Sequence, residues 1–302
     1  MPQITVIGSA NVDLVVRVSR LPQIGETVIG GEFMQAMGGK GANQAVSAAR
    51  LGADVRFIAR VGDDAFADAC LQSYREAGVL LDAVQRTPDL ATGIALIGVS
   101  EDGENLIMVA SGANEKLSPA DVRAHAEAIR AADVVLLQLE VPLETVTAAV
   151  NIAHEFGKTI VLNPAPYQTL PRALLQKISV ITPNRGESAQ MLDERNPDDE
   201  RLAKGVLGMG PQGAVITLGA DGALVAGSWG WVRVPAYKVV PVDTVGAGDA
   251  FNAGLAVALG EGGSLEEAAR YASAVAALAV TRPGAQPGMP TRAEVEAFLD
   301  EV

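Results

Sequence analysis

A chain of 302 residues with 49% apolar and 20% charged residues is globular and long enough for a substantial α/β core, which excludes an intrinsically disordered protein. Its net charge of −13 excludes a nucleic-acid surface built on basic stripes, although backbone N–H groups can still hold a small phosphorylated ligand inside an acidic protein. The lone cysteine, Cys70, excludes an internal disulfide and fits a reducing compartment; with neither a basic leader nor an apolar run of spanning length in sight, a cytoplasmic protein is expected.

Residues 4–7 read as a buried strand that runs into Gly8-Ser9-Ala10-Asn11-Val12-Asp13, leaving Asn11 and Asp13 just past its carboxyl end. Residues 14–18, 27–30 and 32–35 follow as brief strands separated by Pro22 and Gly25, too short for βαβ units and expected to form a small antiparallel piece. Gly38-Gly39-Lys40-Gly41-Ala42-Asn43-Gln44 then opens an Ala-rich helix that stops at Gly52. Such glycines let a backbone approach a ligand closely, but a ligand-free turn has the same signature, and Lys40 reads equally as a contact or as a solvated side chain. A strand at 55–59 and a helix over Ala65–Glu76, with Gly78 near its end, come next. Residues 92–99 and 105–109 flank a turn containing Asp102-Gly103 and predict a hairpin. Joined to the early strands it makes a small sheet over about 12–36 and 92–110, suited to a lid, an oligomer contact or both.

From residue 134 strands and helices alternate: strands at 134–139, 159–162, 178–182, 214–218 and 223–226, with helices at 143–156, 170–177 and 187–192 between them. Near-continuous apolar strands between helices predict a mainly parallel sheet covered on both faces. The charged stretch 193–201 reads as a solvated loop or a helix start, and 231–235 and 238–240 as short strands. Helices are expected at 250–259, 265–280 and 293–299. Polar residues collect at strand carboxyl ends, namely Asn11, Asp13, Glu140, Asn163, Asn184 and Thr217, where open α/β sheets place their ligand crevice. His125 and His154 fall on polar helix faces, are spaced for no metal motif and read as surface residues.

The stretch Asp243-Thr244-Val245-Gly246-Ala247-Gly248-Asp249-Ala250-Phe251-Asn252 is where a loop enters a helix. Helix entry leaves N–H groups unpaired and concentrates positive dipole, which suits a phosphate, and Asp249 lands on the first turn, where a carboxylate is favoured. It is neither a Walker loop, since Gly39-Lys40 is followed by Gly41, nor a dinucleotide fingerprint, since Phe251 stands where the third glycine would be.

Gly246-Ala247-Gly248-Asp249-Ala250-Phe251 resembles the C-terminal signature of the ribokinase-like (PfkB) carbohydrate kinases, and Gly38 to Gln44 is similar to their N-terminal glycine signature. Gly8 to Asp13, Leu137-Gln138-Leu139-Glu140, residues 162–166, Thr182-Pro183-Asn184 and residues 281–287 are similar in the same order, so the resemblance covers the whole chain; the one departure is a shortened stretch between Glu187 and Ala214. The resemblance implies a single three-layer α/β domain over 1–302 and an ATP-dependent kinase acting on the 5-hydroxyl of D-ribose, or else on deoxyribose, a ketose or a nucleoside. A non-catalytic sugar-binding protein is disfavoured by the intact Asp249.

The same resemblance assigns roles. Asp249 would be the base and Gly246, Ala247 and Gly248 the anion hole; Asn11, Asp13, Gly39, Lys40, Gly41, Ala42, Asn43 and Glu140 would hold the pentose together with Asp249. Thr217, Leu218, Gly219, Ala220, Asp221 and Gly222 would form the nucleotide turn, with Gly248 beside it and Ser273 on the adenine side. Asn184 and Glu187 would order Mg2+ through water. Asp243, Val245 and the carbonyls of Ala279, Arg282, Gly284 and Gly288 would hold K+. A homodimer through the small sheet is implied as well.

Overall fold

The computed structural model describes residues 1–302. The chain begins with β1 (Gln3–Ile7), β2 (Asn11–Val18), β3 (Phe33–Gly38), α1 (Lys40–Arg50), β4 (Asp54–Val61), α2 (Ala65–Glu76), β5 (Val84–Arg86), β6 (Gly93–Ser100) and β7 (Asn105–Ala110). It continues through α3 (Pro119–Ala124), α4 (Ala126–Ala131), β8 (Val134–Leu137), α5 (Leu143–Glu155), β9 (Thr159–Leu162), α6 (Arg172–Leu175), β10 (Val180–Ile181), α7 (Arg185–Leu192) and α8 (Asp199–Gly208). The last part holds β11 (Gly213–Thr217), β12 (Ala223–Gly227), β13 (Gly230–Val234), α9 (Ala247–Gly260), α10 (Leu265–Ala279), α11 (Ala285–Gly288) and α12 (Arg292–Glu301).

Nine strands form one sheet in the order β13-β12-β11-β10-β9-β8-β1-β4-β5. Pairing is parallel from β11 to β5, while β12 and β13 complete the other edge as an antiparallel hairpin. Because strand side chains alternate, each apolar run feeds two cores at once. Val6, Val134, Leu136 and Val161 pack under α1, α2, α9 and α10, whereas Ile7, Val135, Leu137 and Leu162 pack against α3, α4, α5 and α8. Helices on both faces give the three-layer α/β architecture expected of the sequence.

Four strands form a second, smaller sheet in the order β3-β2-β6-β7. It is mixed: β2 pairs antiparallel with β3 but parallel with β6. Only three residues separate β1 from β2, so the chain passes from the large sheet into the small one within a single turn. Asn114 pins that turn, accepting from the Ala10 N–H at 2.9 Å and donating to Asn11 Oδ1 at 2.7 Å.

Several expectations need correcting. Residues 27–30 are exposed coil, because Gly30 and Gly31 adopt φ of 118° and 107° and break any strand there. Residues 238–240 are also coil, with Val240 83% exposed; they pair with no strand. The helix expected over 170–177 shrinks to the single turn of α6 behind Pro171. The charged stretch at 193–201 does carry a helix start: Asp198 caps α8 by accepting from the Arg201 N–H, and Leu202, Ala203 and Val206 enter the core. The pair α3 and α4 was not visible as such; Ser118 and Asp121 make a capping box with Pro119 in the first turn, and His125 sits at the break between the helices.

Candidate active site

Gly246 adopts the left-handed conformation at φ 78° before α9, a position where a Cβ would stand 2.8 Å from that of Ala285. The turn it makes leaves the amides of Gly246, Gly248 and Asp249 without a protein partner, while the amide of Ala247 donates to Thr244 O at 3.2 Å. Free N–H groups on the first turn of a 14-residue helix make an anion seat.

Asp249 is only 6% exposed on that first turn. Asn43 Nδ2 donates to its Oδ2 at 2.9 Å and Gln44 Nε2 donates to its Oδ1 at 3.0 Å. Both donors lie on the first turn of α1, so two helix N-termini face one carboxylate. Burial raises the Asp249 pKa above the usual carboxylate range, Lys40 and the two amides oppose that rise, and Glu140 adds to it. A desolvated carboxylate of heightened basicity can accept a hydroxyl proton.

Behind these donors stands a second rank of buried amides. Gln286 Nε2 donates to Asn43 Oδ1 at 3.1 Å, and Gln138 Nε2 donates to Gln44 Oε1 at 2.5 Å. Asn163 accepts weakly from Gln44 at 3.3 Å and donates to Thr182 O at 3.0 Å. Asn252, on α9, donates to Gly248 O at 2.8 Å and accepts from Thr182 Oγ1 at 2.5 Å, which braces the first turn of the helix against β10.

Glu140 binds the start of α1: its Oε2 accepts from Ser9 Oγ at 2.5 Å and from the Lys40 N–H at 2.9 Å. Its other oxygen makes no protein hydrogen bond. Asp13 lies over Gly38, whose hydrogen in place of a side chain is what makes room for the carboxylate. Burial pushes Asp13 up to about 6, Glu140 and Asp249 add to the rise, and Lys40 opposes it. Lys40 is half-buried. Burial alone would lower its pKa, but Asp249, Glu140, Glu187 and Asp13 outweigh that and hold it above the usual lysine value. Three carboxylates, one ammonium and the amide of Asn43 thus surround one polar space beside the anion seat, a donor and acceptor set suited to a polyol.

Asn184 and Glu187 form the capping box of α7, with Asn184 Oδ1 accepting from the Glu187 N–H and Glu187 Oε2 accepting from the Asn184 N–H, both at 2.8 Å. One oxygen of Glu187 remains open, and burial raises its pKa while Lys40 opposes. Thr217 pairs with Asn184 across neighbouring strand ends. It leads into a tight turn through Leu218, Gly219, Ala220, Asp221 and Gly222, in which Gly219 has φ 61° and open space beside it. Ser273 is buried on α10 and donates to Ala269 O at 2.9 Å. Asp243 ties two loops together, accepting from the Gly284 N–H at 2.8 Å and the Val245 N–H at 3.0 Å. The carbonyls of Ala279 and Arg282 converge on Gly288, lying 3.0 and 3.4 Å from where its Cβ would be.

The sequence-predicted residues therefore gather at one end of the large sheet in three neighbouring groups. Sequence reasoning assigned no role to Gln44, Gln138 or Gln286, although each stands in a stretch that carries the family resemblance, and it passed over Asn114 and Arg50. Arg50 donates to Gln286 O at 2.6 Å and to Met289 O at 2.9 Å, fastening the terminal loop to α1. A last-turn arginine and a solitary asparagine carry no spacing signal; only their distant partners reveal them.

A family model described as pfkB family carbohydrate kinase matches residues 1–292. The chain is similar to a ribokinase of Bacillus subtilis, at 42% identity over 99% of this chain and 100% of that one. It is also similar to a deoxyribokinase of Salmonella typhi, at 36% identity over 98% of each chain. The solved structure of Arabidopsis thaliana ribokinase complexed with ribose and ATP superposes with a TM-score of 0.93 at 33% identity, covering 99% of this chain and 98% of that one.

Proposed function

The chain belongs to the pfkB family of carbohydrate kinases, and from that premise we infer that it transfers the γ-phosphoryl group of ATP to the 5-hydroxyl of D-ribose, giving ribose 5-phosphate and ADP. The observation that carries this is Asp249: a buried carboxylate held by two amide donors, on the first turn of a helix whose Gly248 and Asp249 amides are free, beside Asp13, Lys40 and Glu140.

In this mechanism Asp13, Asn11, Asn43 and the open oxygen of Glu140 hold the sugar hydroxyls, with the backbone of Gly39, Gly41 and Ala42 close against them. Gly39 can come that close because it has no side chain: a Cβ there would meet the Asn11 amide nitrogen at 2.7 Å. Asp249 takes the proton of the attacking hydroxyl as the new P–O bond forms and the bond to the ADP oxygen breaks. The free N–H groups of Gly246 and Gly248 steady the transferring phosphoryl, and Lys40 adds positive charge nearby. Thr217 to Gly222 would seat the nucleotide, with Ser273 at the edge of the base site. The small sheet, carrying Asn11 and Asp13 on β2, would close over the sugar as a lid and pair with its copy in a homodimer. Consuming ATP, the enzyme belongs in the cytoplasm.

Two ions complete the proposal. The open oxygen of Glu187 fits a water-mediated magnesium site, with Asn184 holding that carboxylate in place; the ion would neutralise phosphate charge. Asp243 and the neighbouring carbonyls of Ala279 and Arg282 fit a monovalent cation such as K+, to which Val245, Gly284 and Gly288 would contribute from the same two loops, and the ion would order the loop before Gly246.

Coupled ADP release with a panel of sugars and nucleosides tests the assignment. Ribose should give the highest kcat/KM. A higher value for deoxyribose or a nucleoside would replace the substrate, and ATP turnover with none of them would overturn the reading.

A further inference from the structure

Asp249 is acceptor-only when ionised, so the two amides touching it must present their NH2 ends. That choice leaves Asn43 Oδ1 and Gln44 Oε1 pointing away from it. Each of those oxygens then meets the NH2 end of a further buried glutamine: Gln286 at 3.1 Å and Gln138 at 2.5 Å. All four amide residues are at most 6% exposed, and no water-filled route is needed to satisfy the two inner ones. The polarity of both arms is thus set from the carboxylate outward, and in the second arm it leaves Gln138 Oε1 buried without a partner.

Resting on the kinase reading above, we propose that Gln286 and Gln138 are positioning residues for the phosphoryl transfer: each locks an inner amide with its NH2 toward Asp249, so that the base stays ionised and correctly aimed. Without the outer donor, Asn43 loses what holds its carbonyl away from the carboxylate, and Gln44 keeps only its 3.3 Å bond to Asn163 Oδ1, so either amide can turn or swing more freely. The two arms reach different parts of the chain. Gln138 follows β8, whereas Gln286 lies in the terminal loop that Arg50 fastens to α1 through the Gln286 carbonyl at 2.6 Å. The base therefore senses the placement of that loop through one side chain. Asp249 also faces Lys40, Glu140 and Asp13, and none of these is altered by a change at either glutamine.

The test is the pH dependence of kcat/KM for the sugar, at saturating ATP, in the parent and in Gln286→Met and Gln138→Met. Methionine keeps the length and apolar volume and removes the donor. Losing the donor should move the acid limb of the profile upward by about half to one pH unit, because the ionised base loses support. At pH 7 kcat should fall about 3- to 10-fold and recover in part at pH 9, with the KM for ATP within about twofold. An unmoved acid limb overturns the proposal, whatever happens to kcat. A second measurement needs no variant: in the 15N-labelled parent, the side-chain NH2 signals of Asn43, Gln44, Gln138 and Gln286 should titrate together at one pH. Outer amides that stay still while the inner ones move would overturn it equally.

Discussion

The two sheets of this protein solve opposite problems. Every strand between β11 and β4 is covered on both faces, and the base of the site grows from helices seated on that sheet. The small sheet is covered on one face at most: β7 is exposed along its whole length, with Ile107, Met108 and Val109 each more than half exposed. Asp249 is anchored in the first region, whereas Asn11 and Asp13 sit where the chain crosses into the second. On the proposed function, the base sits on the part that cannot move cheaply and part of the sugar site on the part that can. The contrast also shows in the exposed apolar patch of Ile107, Met108 and Val109 on the small sheet.

The largest way to break this contrast is at its rigid end. Asp249→Asn should lower kcat by ~10²-fold or more, the scale of general-base loss, while ATP still binds in calorimetry. An asparagine there also sets an NH2 against two amide donors, so one of Asn43 and Gln44 must turn. Turnover near that of the parent would show that another group takes the proton.

Asp13 tests the boundary between the regions. Asp13→Asn should reduce kcat/KM for ribose by about 10- to 100-fold and leave the KM for ATP within about twofold, because a hydroxyl partner is lost on the sugar side alone. The same change should stabilise the unliganded protein. With its pKa raised from 3.8 to about 6, Asp13 favours folding most below pH 4, and that advantage disappears as pH rises through 6. The variant should therefore gain up to about 3 kcal/mol over the parent at pH 8 and little at pH 4. Melting curves across that range would show it, and equal gains at both ends would mean that burial of Asp13 carries no ionisation cost.

Smaller effects separate the loops from the lid. Activity should rise severalfold in potassium over sodium at matched ionic strength, and Asp243→Ala should abolish that response with the circular dichroism spectrum unchanged. Full rates in potassium-free sodium buffer would remove the cation from the proposal without touching the base. Smallest of all, Ile107→Lys on the exposed strand should convert a dimer to a monomer in light scattering with kcat changed less than about threefold, since it touches neither sugar nor nucleotide. A parent already monomeric at micromolar concentration would refute the lid-mediated pair.

The large sheet was legible in the sequence because residues buried on both faces leave unbroken apolar runs, such as 159–162 and 213–217, between turn signals. The same rule misled at 238–240, where the short, mostly apolar stretch is largely exposed coil and not buried between two layers. Two helices of six residues each, α3 and α4, fell below the length at which periodicity speaks. The site divides likewise. Asp249 and the glycines before it stand in a local pattern with its own physics, but Asn114 acts on Ala10 across 104 positions and nothing near it in sequence announces the partnership. The parallel pairing of β2 with β6 was hidden for the same reason: strand neighbours remote in sequence leave no mark on either strand.

The bonds from Asn43 and Gln44 to Asp249 span 206 and 205 positions, and that separation has a consequence for how the enzyme is born. At translation rates of about 5–20 residues per second, roughly 10–40 s pass between the emergence of α1 and that of its carboxylate partner. Closing so long a loop in a flexible chain costs about 5 kcal/mol in entropy, a term small enough for the surrounding core to offset only once most of that core exists. Until then the amides that will grip the base have water as their partner. The grip on Asp249 therefore completes late, when α9 docks beside α1.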